Sequence, residues 1–250
     1  SDNAEQDIGF DANGDLDTTA LATFCSGTDG FVKVWYDQSG NSNDATQTST
    51  VPQPKIYDSA AGVVNDGAEK PAVLFDSDFL SVPSSTATFK SIHDGTTQGT
   101  IYANTKVTSN TLMSLLGNNN GAGFANGFEV TYFGGHRGFT FLNGVNSVNS
   151  GTWQQDVRTL LYSKFYASNA TAADRFRGAV NGGTDYGNNT KTDAPYTANA
   201  SQDLHIGARG PSVSEFIGYI SELIIYLSDQ STNRTGIETN INDHYSIYTP

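Results

Sequence analysis

The chain has 250 residues, enough for one large domain with a real core, and a net charge of −13 from 26 acidic and 13 basic residues. That balance excludes nucleic acid, whose phosphate backbone calls for a basic footprint, and argues against anionic membrane surfaces. Only 16% of residues are charged, and Gly, Asn, Thr and Ser abound, a profile of short strands and turns rather than helices.

In chain order, Leu21 and Phe24 at i, i+3 predict a short helix capped by Asp17 or Thr18. Before it, Asp11, Asn13 and Asp15 alternate as at the start of a calcium loop, but the Gly-x5-Glu continuation is absent. Phe31–Tyr36 reads as one strand. Residues 37–70 read as loop. Strands follow at Lys70–Asp76, Phe79–Pro83, Gly99–Val107, Thr111–Gly117, Gly127–Phe133, Gly138–Leu142, Val157–Tyr166, Phe176–Val180, Asp203–Ala208 and Phe216–Tyr226. Leu223–Tyr226 is apolar on both faces, which predicts cover on both sides. Ile237, Ile241 and Tyr245 mark an amphipathic helix within Ser231–Tyr245, with Ser228, Asp229 and Ser231 as candidate N-caps. No repeat or linker divides the chain, so residues 1–250 read as a single domain. The expected class is all-β, a double-sheet jelly roll with a short helix near each end.

Cys25 is the one cysteine, so no intrachain disulfide forms; it reads as a small buried hydrophobe. No apolar run approaches membrane-spanning length, so no membrane insertion is expected.

The densest motif is Trp35-Tyr36-Asp37-Gln38-Ser39-Gly40-Asn41-Ser42-Asn43. Aromatic faces beside Asp, Gln and Asn on a sheet rim can stack on and hydrogen-bond a sugar. The same string also serves as a buried Trp at a strand end followed by an Asx-turn.

The segments Asp7–Phe10, Leu16–Leu21 and Phe31–Asn41 resemble the N-terminal part of concanavalin A-like lectin/glucanase domains. Tyr36-Asp37-Gln38-Ser39-Gly40-Asn41 is similar to a tract of the arabinofuranosidase B-type glycosidases. Gly218–Tyr226 with the helix after it resembles the closing elements of laminin-G-like jelly rolls. The resemblance implies a concanavalin A-like sandwich of two antiparallel sheets over most of the chain. It also exposes departures. Cys25 matches one partner of that group's disulfide, and the other partner's place falls near Gly30. Phe128–Gly134 matches the segment before the family's nucleophilic Glu, yet the strand after it, Gly138–Gly144, has no carboxylate. Where the acid/base Asp would follow Ile206-Gly207, the chain has Arg209.

Retaining hydrolysis needs two carboxyls about 5–5.5 Å apart. Since neither implied position holds one, the chain is expected not to be an enzyme; Glu129 with Asp203 or Glu215 is the fallback pair. The expected function is a non-catalytic carbohydrate-binding or adhesion module of a secreted, cell-surface or virion protein. The alternative is a structural part of a virion or surface filament, and a glycosidase ranks third. The candidate ligand contacts are Trp35, Tyr36, Asp37, Gln38, Asn41, Asn43, Glu129, Tyr132, His136 and Arg137, with Trp153 beside them. Asp11, Asn13 and Asp15 are the candidate ligands for Ca2+, the one cofactor suggested. The expected partner is a glycan or polysaccharide, with self-association or other virion or surface proteins next; nucleic acid is not expected.

Overall fold

A computed structural model describes residues 3–67, 70–120, 126–133, 136–141, 146–149, 153–185, 187 and 189–249; for residue 133 and for 136–141 and 146–149 only backbone is described. The elements are α1 (Thr18–Phe24), β1 (Gly30–Phe31), β2 (Val34–Trp35), β3 (Ala45–Thr46), β4 (Lys55–Asp58), β5 (Gly62–Val63), β6 (Val73–Asp78), β7 (Leu80–Val82), α2 (Ser91–Asp94), β8 (Gly99–Val107), β9 (Met113–Gly117), β10 (Phe128–Phe133), β11 (His136–Phe141), β12 (Asn146–Asn149), β13 (Arg158–Phe165), β14 (Phe176–Val180), β15 (Leu204–Ile206), β16 (Phe216–Tyr226) and α3 (Arg234–Tyr245).

The strands form two antiparallel sheets. The first runs β1-β4-β6-β16-β8-β13-β14, with β5 on β4; the second runs β12-β11-β10-β9-β15-β7-β3-β2. Period-two alternation explains how they meet. Val73, Phe75, Ile101, Ala103, Val107, Leu161, Phe216 and Ile220 of the first sheet face Leu80, Val82, Leu116, Phe128, Val130, Leu204 and Ile206 of the second, in one apolar core. The all-β sandwich expected from composition is therefore what forms.

Behind the first sheet lies a second apolar layer. Tyr102, Leu160, Tyr162 and Ala179 pack with Ile241, Ile237 and Tyr245 of α3, and Ile224 and Tyr226 join them. Leu223 and Ile225 meanwhile pack on the central core. The doubly apolar run is covered on both sides as its pattern predicted. The helix starts later than the candidate caps suggest. Asn233 occupies the N-cap with no side-chain bond. Asp229 instead accepts from Ser231 N and pairs with Lys164 at 3.1 Å, fixing the connection ahead of the helix.

The predicted strand at Phe31–Tyr36 is corrected. It is two short strands in different sheets, β1 on β4 and β2 on β3. Between them Val32 N bonds Pro54 O and Lys33 O accepts from Gln47 N, so the chain crosses from one sheet to the other there. The predicted loop at 37–70 likewise carries β3, β4 and β5.

At the start, Asp17 caps α1 by accepting from Ala20 N at 2.9 Å. Cys25 follows, buried, and burial pushes its thiol up. A Cβ added to Gly30 would stand 3.7 Å from Cys25 Cβ, inside the roughly 3.5–4.5 Å span of a disulfide. Cys25 and position 30 thus stand at disulfide spacing, with a glycine where a second sulfur would be needed. Gly30→Cys is expected to close it on oxidation and add about 2 kcal/mol for so short a loop, a rise of about 5 °C in Tm that reductant removes. Two titratable thiols after oxidation would refute this.

Candidate functional site

The structure separates the candidate residues into two places. The first is a cleft of about 1660 Å³. Its lining includes Trp35, Tyr36, Asp37, Gln38, Asn41 and Asn43, together with Asp15, Glu222, His244 and Tyr245. Trp35 is half-buried and packs on the core. Tyr36 is 45% exposed and its hydroxyl donates to Asp7 at 2.8 Å. The rest of the tract is bonded mainly to itself. Asp37 accepts from Ser39 N and Asn43 N, Asp44 accepts from Asp37 N, Gln38 donates to Tyr36 O, and Asn41 donates to Ser39 Oγ. Burial alone would raise the Asp37 carboxyl, but the Ser39 and Asn43 amides outweigh it and hold it below the usual range. The Asx-turn reading describes this loop better than a free sugar platform does.

The second place is the outer face of the second sheet, around Glu129. In β10, Phe128, Val130 and Tyr132 point to the core, so Glu129 and Thr131 point away from it. Glu129 pairs with Gly117, and Gly117 pairs with His205, which makes one row across three strands. A bulge between Val130 and Thr131 sets Ser114 opposite Thr131 while Leu115 and Leu116 both stay in the core. Ser114 Oγ thereby reaches Glu129 Oε1, and Asn119 Nδ2 stands 3.5 Å from Oε2.

The segment after β15 closes over this row. Gly117 is needed here, because a Cβ would come within 3.0 Å of Arg209 Cα. Arg209 Nη1 lies 4.0 Å from Glu129 Oε2, with the two side chains 18% and 2% exposed. The position that the resemblance gives to an acid/base carboxyl is thus beside Glu129, and it carries a guanidinium. Among the described residues, the buried Arg209 Nε, Thr131 Oγ1 and His205 Nδ1 have no hydrogen-bond partner, so polar capacity is left over around the carboxylate. Burial keeps His205 toward its neutral form, against the backbone and charge of Asp203.

Several expectations are corrected. Glu129, expected as a ligand contact, is buried because a loop distant in sequence covers it. Tyr132 and Trp153 are fully buried core residues; their rings meet edge to face at 5.3 Å, and Trp153 stacks on Phe216. His136 and Arg137 lie on β11, but their side chains fall outside the described residues. Asp203 accepts from Ser85 N at 2.6 Å, and Glu215 lies near Asp78; no contact joins either to Glu129 among the described residues.

At the proposed calcium loop, Asp11 accepts from Asn13 N and Asp15 N, and these two bonds hold its carboxyl below the usual range. Asp15 is taken by Lys70 at 2.7 Å and His244 at 3.2 Å. Among the described residues no three His, Cys, Asp or Glu side chains gather as metal ligands. Nor is any helix among them long and apolar enough to cross a membrane.

Comparison with known proteins adds the following. The family model described as alpha-L-arabinofuranosidase B, catalytic, matches residues 1–76. None of the curated proteins matches the chain in sequence. Among solved structures, a GH54 α-L-arabinofuranosidase soaked with a cyclic sulfate inhibitor is 17% identical, with a TM-score of 0.65 over 96% of this chain and 57% of that one. An arabinofuranosidase complexed with arabinofuranosyl-α-1,2-xylobiose is 18% identical, with a TM-score of 0.61 and the same coverage. A glutamate-to-glutamine variant of a GH54 enzyme soaked with 4-nitrophenyl α-L-arabinofuranoside gives 17% and 0.63. At these identities the likeness is one of fold, and the chain spans little more than half of those proteins. The expectation of a non-catalytic binding or adhesion module is overturned, since the matched family model is that of a catalytic module. Nothing in the comparisons supports a virion or filament part. The chain is similar in fold, and over its first 76 residues in sequence, to arabinofuranosidase B-type catalytic domains.

Proposed function

We propose that this chain is an arabinofuranosidase-type glycoside hydrolase module in which Glu129 attacks the anomeric carbon of an α-L-arabinofuranoside. The observation that carries this reading is the catalytic family model over residues 1–76. The fold likeness along 96% of the chain supports it, as do the compounds named in complex with or soaked into those structures, arabinofuranosyl-α-1,2-xylobiose and 4-nitrophenyl α-L-arabinofuranoside. On this reading residues 1–250 form one concanavalin A-like jelly-roll module working outside the cell on a plant-type polysaccharide.

Glu129 is the carboxylate fitted for the role. Ser114 and Asn119 orient it, and it projects from a rigid strand rather than a loop. A carboxylate oxygen bonds to the anomeric carbon as the glycosidic C–O bond breaks, and the leaving oxygen departs with the electron pair. Water then hydrolyses the glycosyl ester and regenerates Glu129. With Arg209 where a proton donor would stand, the leaving group departs as an anion stabilised by the guanidinium. Being the more exposed of the two, Arg209 must shift aside as the sugar reaches Glu129. Purified chain is expected to release 4-nitrophenol from 4-nitrophenyl α-L-arabinofuranoside above the uncatalysed rate. A rate equal to buffer alone would overturn the proposal.

A further inference from the structure

The cleft also exposes a strand edge that no described strand covers. One edge of β16 is paired with β8 from Gly218 to Tyr226, whereas the other is paired with β6 only from Phe216 to Ile220. The chain ahead of β6 turns away from β16 there: Ala72 N donates to Val64 O, and Pro71 has no N–H to give. Among the described residues, no backbone bond from another segment reaches the second edge of Glu222–Tyr226. Alternate residues of that stretch therefore aim both N–H and C=O into the cleft. A strand edge left open inside a sheet is a template for one more strand.

The two faces of the open stretch differ. Leu223 and Ile225 belong to the central core yet are only half-buried, while Phe216 and Ile220, earlier in the same strand, are fully buried there. Val82, Leu204 and Ile206 of the second sheet also line the cleft, so the apolar layer between the sheets opens into it. Phe10, Phe24, Phe31 and Leu227 line it too, each 37–57% exposed. Such a gathering of exposed apolar side chains marks an interaction site. Glu222 alternates with Leu223 and so shares the other face with Ile224 and Tyr226, which pack toward α3. Among the described residues no ion pair engages Glu222, and burial pushes its carboxyl above the usual range. The lysines lining the cleft are already committed, Lys33 to Glu5 and Lys70 to Asp15.

We propose that the open edge of Glu222–Tyr226 docks one extended polypeptide segment from outside residues 1–250, in which aliphatic side chains alternate with basic ones. Strand pairing sets the alternation. Side chains opposite Leu223 and Ile225 share their face and enter the gap between the sheets, where alkyl groups bury apolar surface. Those opposite Glu222 and Ile224 lie on the α3 face, where an ammonium or guanidinium meets the Glu222 carboxylate. A saccharide offers neither the alkyl groups nor the cation. A second copy of this chain brings its own charge of −13 to a cleft already lined by Glu5, Asp7, Asp15 and Glu222. The docked strand would extend the first sheet, apart from Glu129 on the second, and the proposal does not require that the chain hydrolyse anything.

The test uses the 250-residue chain, 15N-labelled, and an acetylated, amidated peptide, Ser-Val-Lys-Val-Lys-Val-Lys-Ser. Amide exchange is followed residue by residue. With the peptide at millimolar concentration, the cleft-facing amides of Glu222–Tyr226 are expected to slow at least about tenfold. The same peptide N-methylated along its pairing edge, and one with Glu in place of Lys, are expected to leave exchange unchanged. Glu222→Lys is expected to reverse the preference toward the Glu peptide, with the Tm showing the variant folded. Glu222→Gln, which keeps the shape, is expected to lose the preference. Unchanged exchange with the Lys peptide, equal protection by the Glu or N-methylated peptide, or a preference indifferent to residue 222 would overturn the site. So would the same protection from xylobiose, or from a dimer of the chain alone, which would give the edge to another occupant. None of these measurements reads turnover, so failure here leaves the Glu129 proposal standing, and the converse holds.

Discussion

Glu129→Gln is expected to lower hydrolysis of 4-nitrophenyl α-L-arabinofuranoside by on the order of 10⁴-fold, the scale of losing a nucleophile in other hydrolases. The substitution keeps size and shape. Its amide can still meet Ser114 Oγ and Asn119, so the fold around β10 is retained and the loss falls on the reaction. What disappears is the anionic oxygen that bonds carbon. Removing it also frees the Arg209 guanidinium, which is partly exposed and so finds water in compensation. A structural role and a chemical role separate in one further variant. Glu129→Ala opens space beside the anomeric carbon, where added azide can attack in its place. Azide is expected to restore measurable 4-nitrophenol release and to yield an arabinosyl azide. A Glu129→Gln protein with unchanged rate, or an alanine variant indifferent to azide, would remove Glu129 from the mechanism.

How much of this could be read in the sequence depends on how local the signal was. The long strands Gly99–Val107, Phe176–Val180 and Phe216–Tyr226 follow from alternation, because each buries one face on the central core and repeats that choice residue by residue. The α3 stripe Ile237, Ile241 and Tyr245 is equally local, and it meets the apolar face it predicted. The crossing at Val32 and Lys33 is not local. It depends on Pro54 and Gln47, which flank β4 and β3 of opposite sheets, and a continuous β-pattern hides it. Trp153 and Tyr132 were attractive as sugar contacts because aromatics serve surfaces and cores alike; only the packing against Phe216 decides for the core. Glu129 shows the limit most clearly. Its alternation with Phe128 and Val130 told that it faces away from the core. Whether that face met water depended on Arg209, 80 positions later, held down on Gly117.

The Arg209 position yields the sharpest prediction about substrate. If no proton reaches the leaving oxygen, rate must depend on how well that oxygen bears charge. Across a series of aryl α-L-arabinofuranosides the unaltered chain is expected to slow steeply as the leaving phenol becomes less acidic, and to act least on arabinose linked to xylan, whose alkoxide leaves poorly. Arg209→Asp puts a carboxyl where the guanidinium stood. Aspartate is the shorter side chain, so its carboxyl withdraws from Glu129 toward the spacing of about 5–5.5 Å used by retaining glycosidases. Beside the Glu129 carboxylate, one of the two acids holds its proton more tightly, since like charges resist joint ionisation. That proton can be given to the leaving oxygen. The variant is therefore expected to flatten the leaving-group dependence and to release arabinose from arabinoxylan about 10²–10⁴ times faster, the usual yield of general acid catalysis. The gain is expected to fall away as pH rises and the shared proton is lost. Removing the guanidinium leaves the buried Glu129 carboxyl without its counter-charge, so Arg209→Asp is expected to lower the Tm, and rates are compared below that transition. A leaving-group slope identical in the two proteins would show that Arg209 does not stand at the departing oxygen, whichever carboxylate does the attacking.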